Sequence, residues 1–148
     1  MIFFIFLPFE YHRIMTQEEK IAYWVELSDY DLETAEAMFE TRRYLYVAFM
    51  CHQVIEKIFK AGYSRLKEET PPFTHDLMLI ADRAGFFERL DDEQIEFIEQ
   101  ISPLNIRARY PDYKKELVKK LTKTSCENLM TKTQKLQQWT KEKILLIN

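Results

Sequence analysis

Glycine is nearly absent from this 148-residue chain: Gly62 and Gly85 are the two it has. A β-sandwich or a dinucleotide-binding α/β domain draws on more glycine than that for its turns and phosphate loops, so both are excluded as working expectations. Cysteine is equally scarce. Cys51 and Cys126 are too few for a zinc site or a disulfide framework, and Cys51, set among apolar residues, reads as a small core side chain in a reducing cytoplasm. Positive charge is not in excess, since the net charge is −3, which leaves a local basic patch open but no global footprint for nucleic acid. No apolar run approaches the ~20 residues of a membrane span. Residues 2–9 are apolar but short, with no basic segment before them and no small-residue cleavage site after, so they make a poor signal peptide. Missing too are a Gly-rich phosphate loop, a Ser flanked by glycines on a nucleophile elbow, and any metal-spaced His/Cys/Asp cluster. No cofactor and no metal are therefore expected.

What is present suits helices. Apolar residues make up 47% and charged residues of both signs 30%, a balance that builds one folded domain with a real core. Residues 1–15 form an N-terminal extension with two readings, a mis-assigned start with Met15 as the true first residue or a short arm that packs on a partner. The domain proper covers 16–148. Thr16 with Glu19 is a capping-box pair opening a first helix over 16–40, whose stripe is Ile21, Trp24, Val25, Leu32, Ala35 and Phe39. A second helix over 44–68 is apolar on more than half its circumference and so central, with a narrow polar stripe that includes Gln53, Glu56, Lys57 and Lys60. Pro71-Pro72 breaks the chain. A short helix follows over 74–84, capped by Thr74 and closed by Gly85. Asp91 or Asp92 opens a fourth helix, and a long fifth runs over 113–143, with Val118 and Met130 widening its apolar face. Long helices with short links imply an all-α, up-and-down antiparallel bundle of four long helices plus a short connecting helix.

Three constellations carry candidate chemistry. Arg107, Arg109, Tyr110, Asp112 and Tyr113 fall within seven residues around a proline. An arginine fork grips phosphate or carboxylate at two points, and tyrosine stacks or donates a hydrogen bond. The alternative is a plain helix corner in which Arg pairs with Asp and Tyr packs on Pro. His52, Glu56 and Lys60 recur every four residues along one side of a helix, which reads either as a functional set or as a Glu–Lys pair on a solvated stripe. His75 and Asp76 sit in a helix's first turn, where Asp76 favours the helix dipole and His75 is either catalytic or structural. Lys114, Lys115, Lys119, Lys120 and Lys123 form a run broken by Glu116, by default a solvated face and otherwise an electrostatic strip for RNA.

The order of the motifs says more than any one of them. Asp31-Leu32-x-x-Ala35, Tyr44-x-x-Ala48, His52-Gln53-x-x-Glu56-Lys57-x-x-Lys60-Ala61, Pro71-Pro72-x-Thr74-His75-Asp76-Leu77 and Arg109-Tyr110-Pro111-Asp112 follow one another. This series resembles the HEPN domain family over about 17–136. The resemblance implies an up-and-down helical bundle, usually a homodimer in the cytoplasm, often paired with an MNT-type nucleotidyltransferase and frequently as a toxin–antitoxin pair. Many such proteins are metal-independent RNases whose signature is an Arg followed four to six residues later by a His; others bind nucleotides or a partner enzyme. Here no His follows His75, so the signature is absent. In-line RNA cleavage calls for a general base at the 2′-hydroxyl. Arg holds phosphate and Tyr donates a hydrogen bond, but neither is a base at neutral pH.

The first expectation is therefore a HEPN-like protein that binds a nucleotide, another phosphate-bearing ligand or RNA, with Arg107, Arg109, Tyr110, Asp112 and Tyr113 at the ligand and Glu56, Lys57 and Lys60 lining the same groove. The second is an RNase toxin with a non-standard site, its catalytic candidates being Arg109, His52 and His75. The third is a purely structural dimer.

Overall fold

The structure is a computed structural model that describes residues 15–147; residues 1–14 of the N-terminal extension lie outside them. Helix α1 spans Gln17–Glu40, α2 Tyr44–Leu66, α3 Leu77–Ala84, α4 Asp92–Ile101, α5 Leu104–Arg107, α6 Pro111–Lys120 and α7 Lys123–Lys143. A single 3₁₀ turn, Phe87–Arg89, joins α3 to α4. Among the described residues the fold is all-α, an up-and-down bundle led by α1, α2 and α7 at 24, 23 and 21 residues.

Helix α2 is the hub. Val47, Ala48, Cys51, Val54, Ile55, Ile58, Phe59 and Ala61 are all fully buried, because α1 covers one side, α7 another and α3 a third. The α1–α2 pair is antiparallel: Gln17, at the start of α1, donates to the carbonyls of Ser64 and Arg65 near the end of α2. Helix α7 runs the opposite way to α1, with Gln134 reaching Glu36 and Gln137 reaching Ser28 and Asp29. Asp29 also takes a 2.7 Å ion pair from Lys141. The start of α7 meets the start of α2 through Cys126 and the Tyr44 carbonyl. Both cysteines are free and buried. Burial pushes the Cys51 thiol up to about 12 and the Cys126 thiol up to about 11.

The caps explain the boundaries. Thr16 accepts from the Glu19 N–H and donates its hydroxyl to the Glu19 carboxylate at 3.2 Å, so the Glu19 side chain meets the cap's hydroxyl rather than its backbone N–H. The short helix starts at Leu77 and not at Thr74. Asp76 caps it, while Thr74 accepts the Asp76 N–H in a turn of its own. Gly85 closes it at φ 92°. Asp91 opens α4 in a reciprocal capping box with Gln94. The long fifth helix divides. Leu121 is extended, and Thr122 with Ser125 forms a fresh capping box that starts α7. Pro111 supplies the first turn of α6, where its missing N–H costs nothing. The break turns Val118 outward, 53% exposed, instead of into the core.

Helix α1 ends in a turn that normally calls for glycine. Arg42 donates to the Phe39 carbonyl and Arg43 to the Met38 carbonyl, the paired bonds of a Schellman motif, with Arg42 at φ 61°. A glycine there is free of the Cβ clash that a left-handed L-residue carries.

Gly62 lies where α2, the segment after α3 and the end of α7 converge. A Cβ on it would stand 3.0 Å from the Phe86 ring and 3.2 Å from Ile144. Phe86 is fully buried and packed edge-on against Phe59, so it has little room to yield. Alanine in place of glycine gains about 1 kcal/mol of helix propensity, whereas overpacking a core costs about 1–3 kcal/mol. Gly62→Ala is expected to be net destabilising by about 1 kcal/mol, read as a lower urea midpoint with an unchanged m-value.

Candidate functional site

The polar stripe of α2 is buried. His52 is fully buried, and Gln53, Glu56 and Lys60 are between 2% and 7% exposed. It is thus neither a solvated face nor the wall of an open groove. Helix α1 packs over it, and its charges satisfy one another. Glu56 is the centre. Its Oε1 accepts from His75 Nδ1 at 2.6 Å, its Oε2 from Lys60 Nζ at 3.3 Å, and Lys57 Nζ lies 3.7 Å away. Burial pulls the Glu56 carboxyl upward, but Lys60, Lys57 and the His75 bond outweigh it and hold the group below its ordinary value. Burial in turn lowers Lys60, whose ammonium also sits 5.4 Å above the Trp24 ring.

Lys57 connects this centre to Asp31 of α1 at 3.9 Å, too long for a hydrogen bond. Neither oxygen of the Asp31 carboxyl has a hydrogen-bond partner among the described residues, and burial, only partly offset by Lys57, raises it to about 6.

The histidines part company. The side chain of His75 is 52% exposed and is tethered from within by Glu56. His52 is sealed in the core, its Nδ1 3.3 Å from Gln53 Oε1, and burial lowers its pKa. No ligand reaches it without opening the bundle.

The arginine corner is a separate, open surface. Arg107 ends α5, and Arg109 and Tyr110 lead into α6, where Asp112 and Tyr113 occupy the first turn. All five side chains are exposed, while Leu104, Asn105 and Ala108 anchor the segment in the core. No ion pair joins either arginine to Asp112 or to any other described carboxylate, so the simple Arg–Asp corner does not form. Arg109 instead stacks over the Phe49 ring of α2 at 5.2 Å. Phe49 precedes Gln53, Glu56 and Lys60 by four, seven and eleven residues, which is one stripe of a helix. The corner and the Glu56 centre therefore share a side of α2, about 10 Å apart along its axis. Among the described residues no group of three His, Cys, Asp or Glu side chains is placed to hold a metal ion. No helix among them is long and apolar enough to cross a membrane.

An all-helical bundle, with a buried Glu–Lys pair tied to a half-exposed histidine and a corner of exposed Arg107, Arg109 and Tyr110, defines the class. The chain belongs to the HEPN domain family, whose profile matches residues 21–144. Its fold is similar to the crystal structure of TT1696 from Thermus thermophilus, with a TM-score of 0.70 and 17% identity over 83% of this chain and 97% of that one. No curated protein sequence matches it.

Asp31 was visible in the sequence only as part of a motif; what marks it is its environment. A carboxyl whose pKa is raised in the folded state contributes stability that is full below its ordinary value of 3.8 and is lost as pH rises through about 6. Glu56, lowered by folding, works in the opposite sense and loses its contribution on acidification. Comparing wild type with Asp31→Asn isolates the first effect. Between about pH 4 and about pH 7 the wild type is expected to lose on the order of 3 kcal/mol relative to the variant, measured by urea unfolding at each pH. A difference that stays constant with pH would remove this account of Asp31.

Proposed function

We propose that the chain is a HEPN-type binding protein, a homodimer that holds a nucleotide or other phosphate-bearing ligand at the 107–113 corner and works with a separate nucleotidyltransferase, in a toxin–antitoxin pair and in a reducing cytoplasm. The observation that supports this most is the state of the arginines. Both are exposed and free of carboxylate partners among the described residues, and Arg109 lies over the Phe49 ring. A guanidinium held by an aromatic face keeps its fork open for two-point contact with phosphate oxygens. Tyr110 and Tyr113, 56% and 50% exposed, stand beside it as hydrogen-bond donors or stacking surfaces. Glu56, Lys57 and Lys60 serve this site from behind, by fixing α1 and the His75 loop. The test is ATP titration of the purified protein. Arg107→Ala and Arg109→Ala are each expected to weaken ATP binding about tenfold, the loss of one charge-assisted contact, with the fold intact by circular dichroism.

One observation favours a second reading, cleavage of RNA. His75 is held by a buried carboxylate at Nδ1 and is half open to solvent, which is how an imidazole is oriented to exchange protons at its other nitrogen. On this reading Arg109 holds the scissile phosphate and His75 is the base. RNA incubated with purified protein would be cut, and His75→Ala would abolish the cutting. Cleavage that survives loss of His52 and His75 together removes that mechanism.

A further inference from the structure

The turn between α1 and α2 faces the far end of α6. Between them lies an open cleft of about 210 Å³, lined by Arg42, Arg43 and Tyr46 from the turn side and by Val118 of α6 and Leu121 just beyond it. Three features set it apart. The first is charge. From Arg107 to Lys123 seven cations face two carboxylates, in a chain whose net charge is −3. Arg42 and Arg43 extend that strip from the opposite wall, and none of these nine cations is ion-paired with a described residue. The second is exposed apolar surface. Tyr46, Ile106, Tyr110, Tyr113 and Val118 are all about half exposed, Tyr46 and Val118 at the cleft and the other three at or beside the Arg109 corner. The third is backbone. Arg42 occupies the left-handed position of the Schellman turn at φ 61°. An arginine kept there at a steric cost, with its charge unpaired, points to use of the side chain.

Lys114 and Lys115 stand one helical turn before Val118 on the side of α6 that faces the cleft. Helix α6 is ten residues long; at ~1.5 Å per residue it therefore spans about 15 Å from Arg109 to the cleft. A nucleoside monophosphate is too short to bridge that distance with contacts at both ends, and a triphosphate would place its phosphates at one end only, whereas a strand of a few nucleotides presents a phosphate at each step. A cationic track with aromatic rings at intervals is how proteins hold unpaired strands, phosphates on the cations and bases on the rings.

We propose that the Arg42–Arg43–Tyr46 cleft is a second binding site, joined by α6 to the Arg109 corner, and that the two ends together hold a single-stranded polynucleotide, RNA being the form tested. This rests on the phosphate-binding reading of the corner and deepens it by naming the ligand class. One base enters the cleft against Tyr46 and Val118, and the flanking phosphates lie on Arg42, Arg43 and the α6 lysines.

The experiment is fluorescence anisotropy with a labelled ten-nucleotide single-stranded RNA, a duplex RNA of the same length, and ATP as a separate ligand for the corner. The turn variant is Arg42→Gly with Arg43→Ala, and Tyr46→Ala is made alone. Single-stranded RNA is expected to bind the wild type with a log–log salt slope of about −2 or steeper, as about three neutralised phosphates require. The turn variant should bind it at least tenfold more weakly and Tyr46→Ala at least fivefold, both with wild-type ATP affinity. Arg42→Gly alone should raise the urea midpoint while weakening RNA binding, an opposition that a merely structural arginine would not produce. If ATP binds through Arg109 but RNA binding is indifferent to the turn variant, the cleft proposal is overturned and the corner reading stands. Equal binding of duplex RNA, which offers phosphates without free bases, overturns the single-strand assignment. If neither ATP nor RNA binds, both readings fall.

Discussion

The bundle depends on one buried carboxylate. Glu56 sits at the middle of the most buried helix, 2% exposed, and an ionised carboxylate there is tolerable only if its lone pairs and charge are met. Lys60 from its own helix, Lys57 beside it and His75 from the following loop meet them. Each answer fixes something else. Lys57 faces Asp31 and so couples α1 to α2, Lys60 lies against Trp24, and His75 holds the loop that delivers Asp76 to the head of α3. Removing one partner would leave the rest over- or under-charged in a dry environment, so the set stands or falls together.

That centre also explains the division of labour between the two sides of the candidate site. Groups that compensate each other inside are unavailable to a ligand, while the 107–113 corner keeps its cations uncompensated and exposed. The protein commits its His75 and Glu56 to internal order and presents Arg107 and Arg109 to solvent, an arrangement that suits the proposed phosphate site. The half-open His75 is the most solvent-open member of the inner set, and it is where inner order and outer chemistry would meet.

Much of this was legible in the chain. The spacing of apolar residues located the helices, α2 read as central because its polar stripe is narrow, and Gly85 and Asp91 marked an end and a beginning. The motif order pointed to the family. The burial of the polar stripe was not legible, because Glu and Lys at four-residue spacing look the same on a solvated face as in a sealed one. What decides is Asp31 and Trp24 across the interface, and periodicity within one helix carries no information about its partner. The break at Leu121 was hidden because Thr122 and Ser125 sit among residues that suit a helix. The left-handed Arg42 was hidden because no glycine or asparagine announces the turn. Both concealed features adjoin the cleft.

The two cysteines have a consequence of their own. Cys51 lies inside the α2 hub and Cys126 at the head of α7, both without solvent contact and both kept protonated by burial. A thiol in that state is inert to alkylating and oxidising reagents while the helices stay together. Each is therefore a silent witness to the seam between α2 and α7. When alkylation outruns reclosing, the rate at which a reagent finds them is the rate at which that seam opens, and at lower reagent concentration it reports the open population, so the native chain carries its own gauge of breathing motions with no label added.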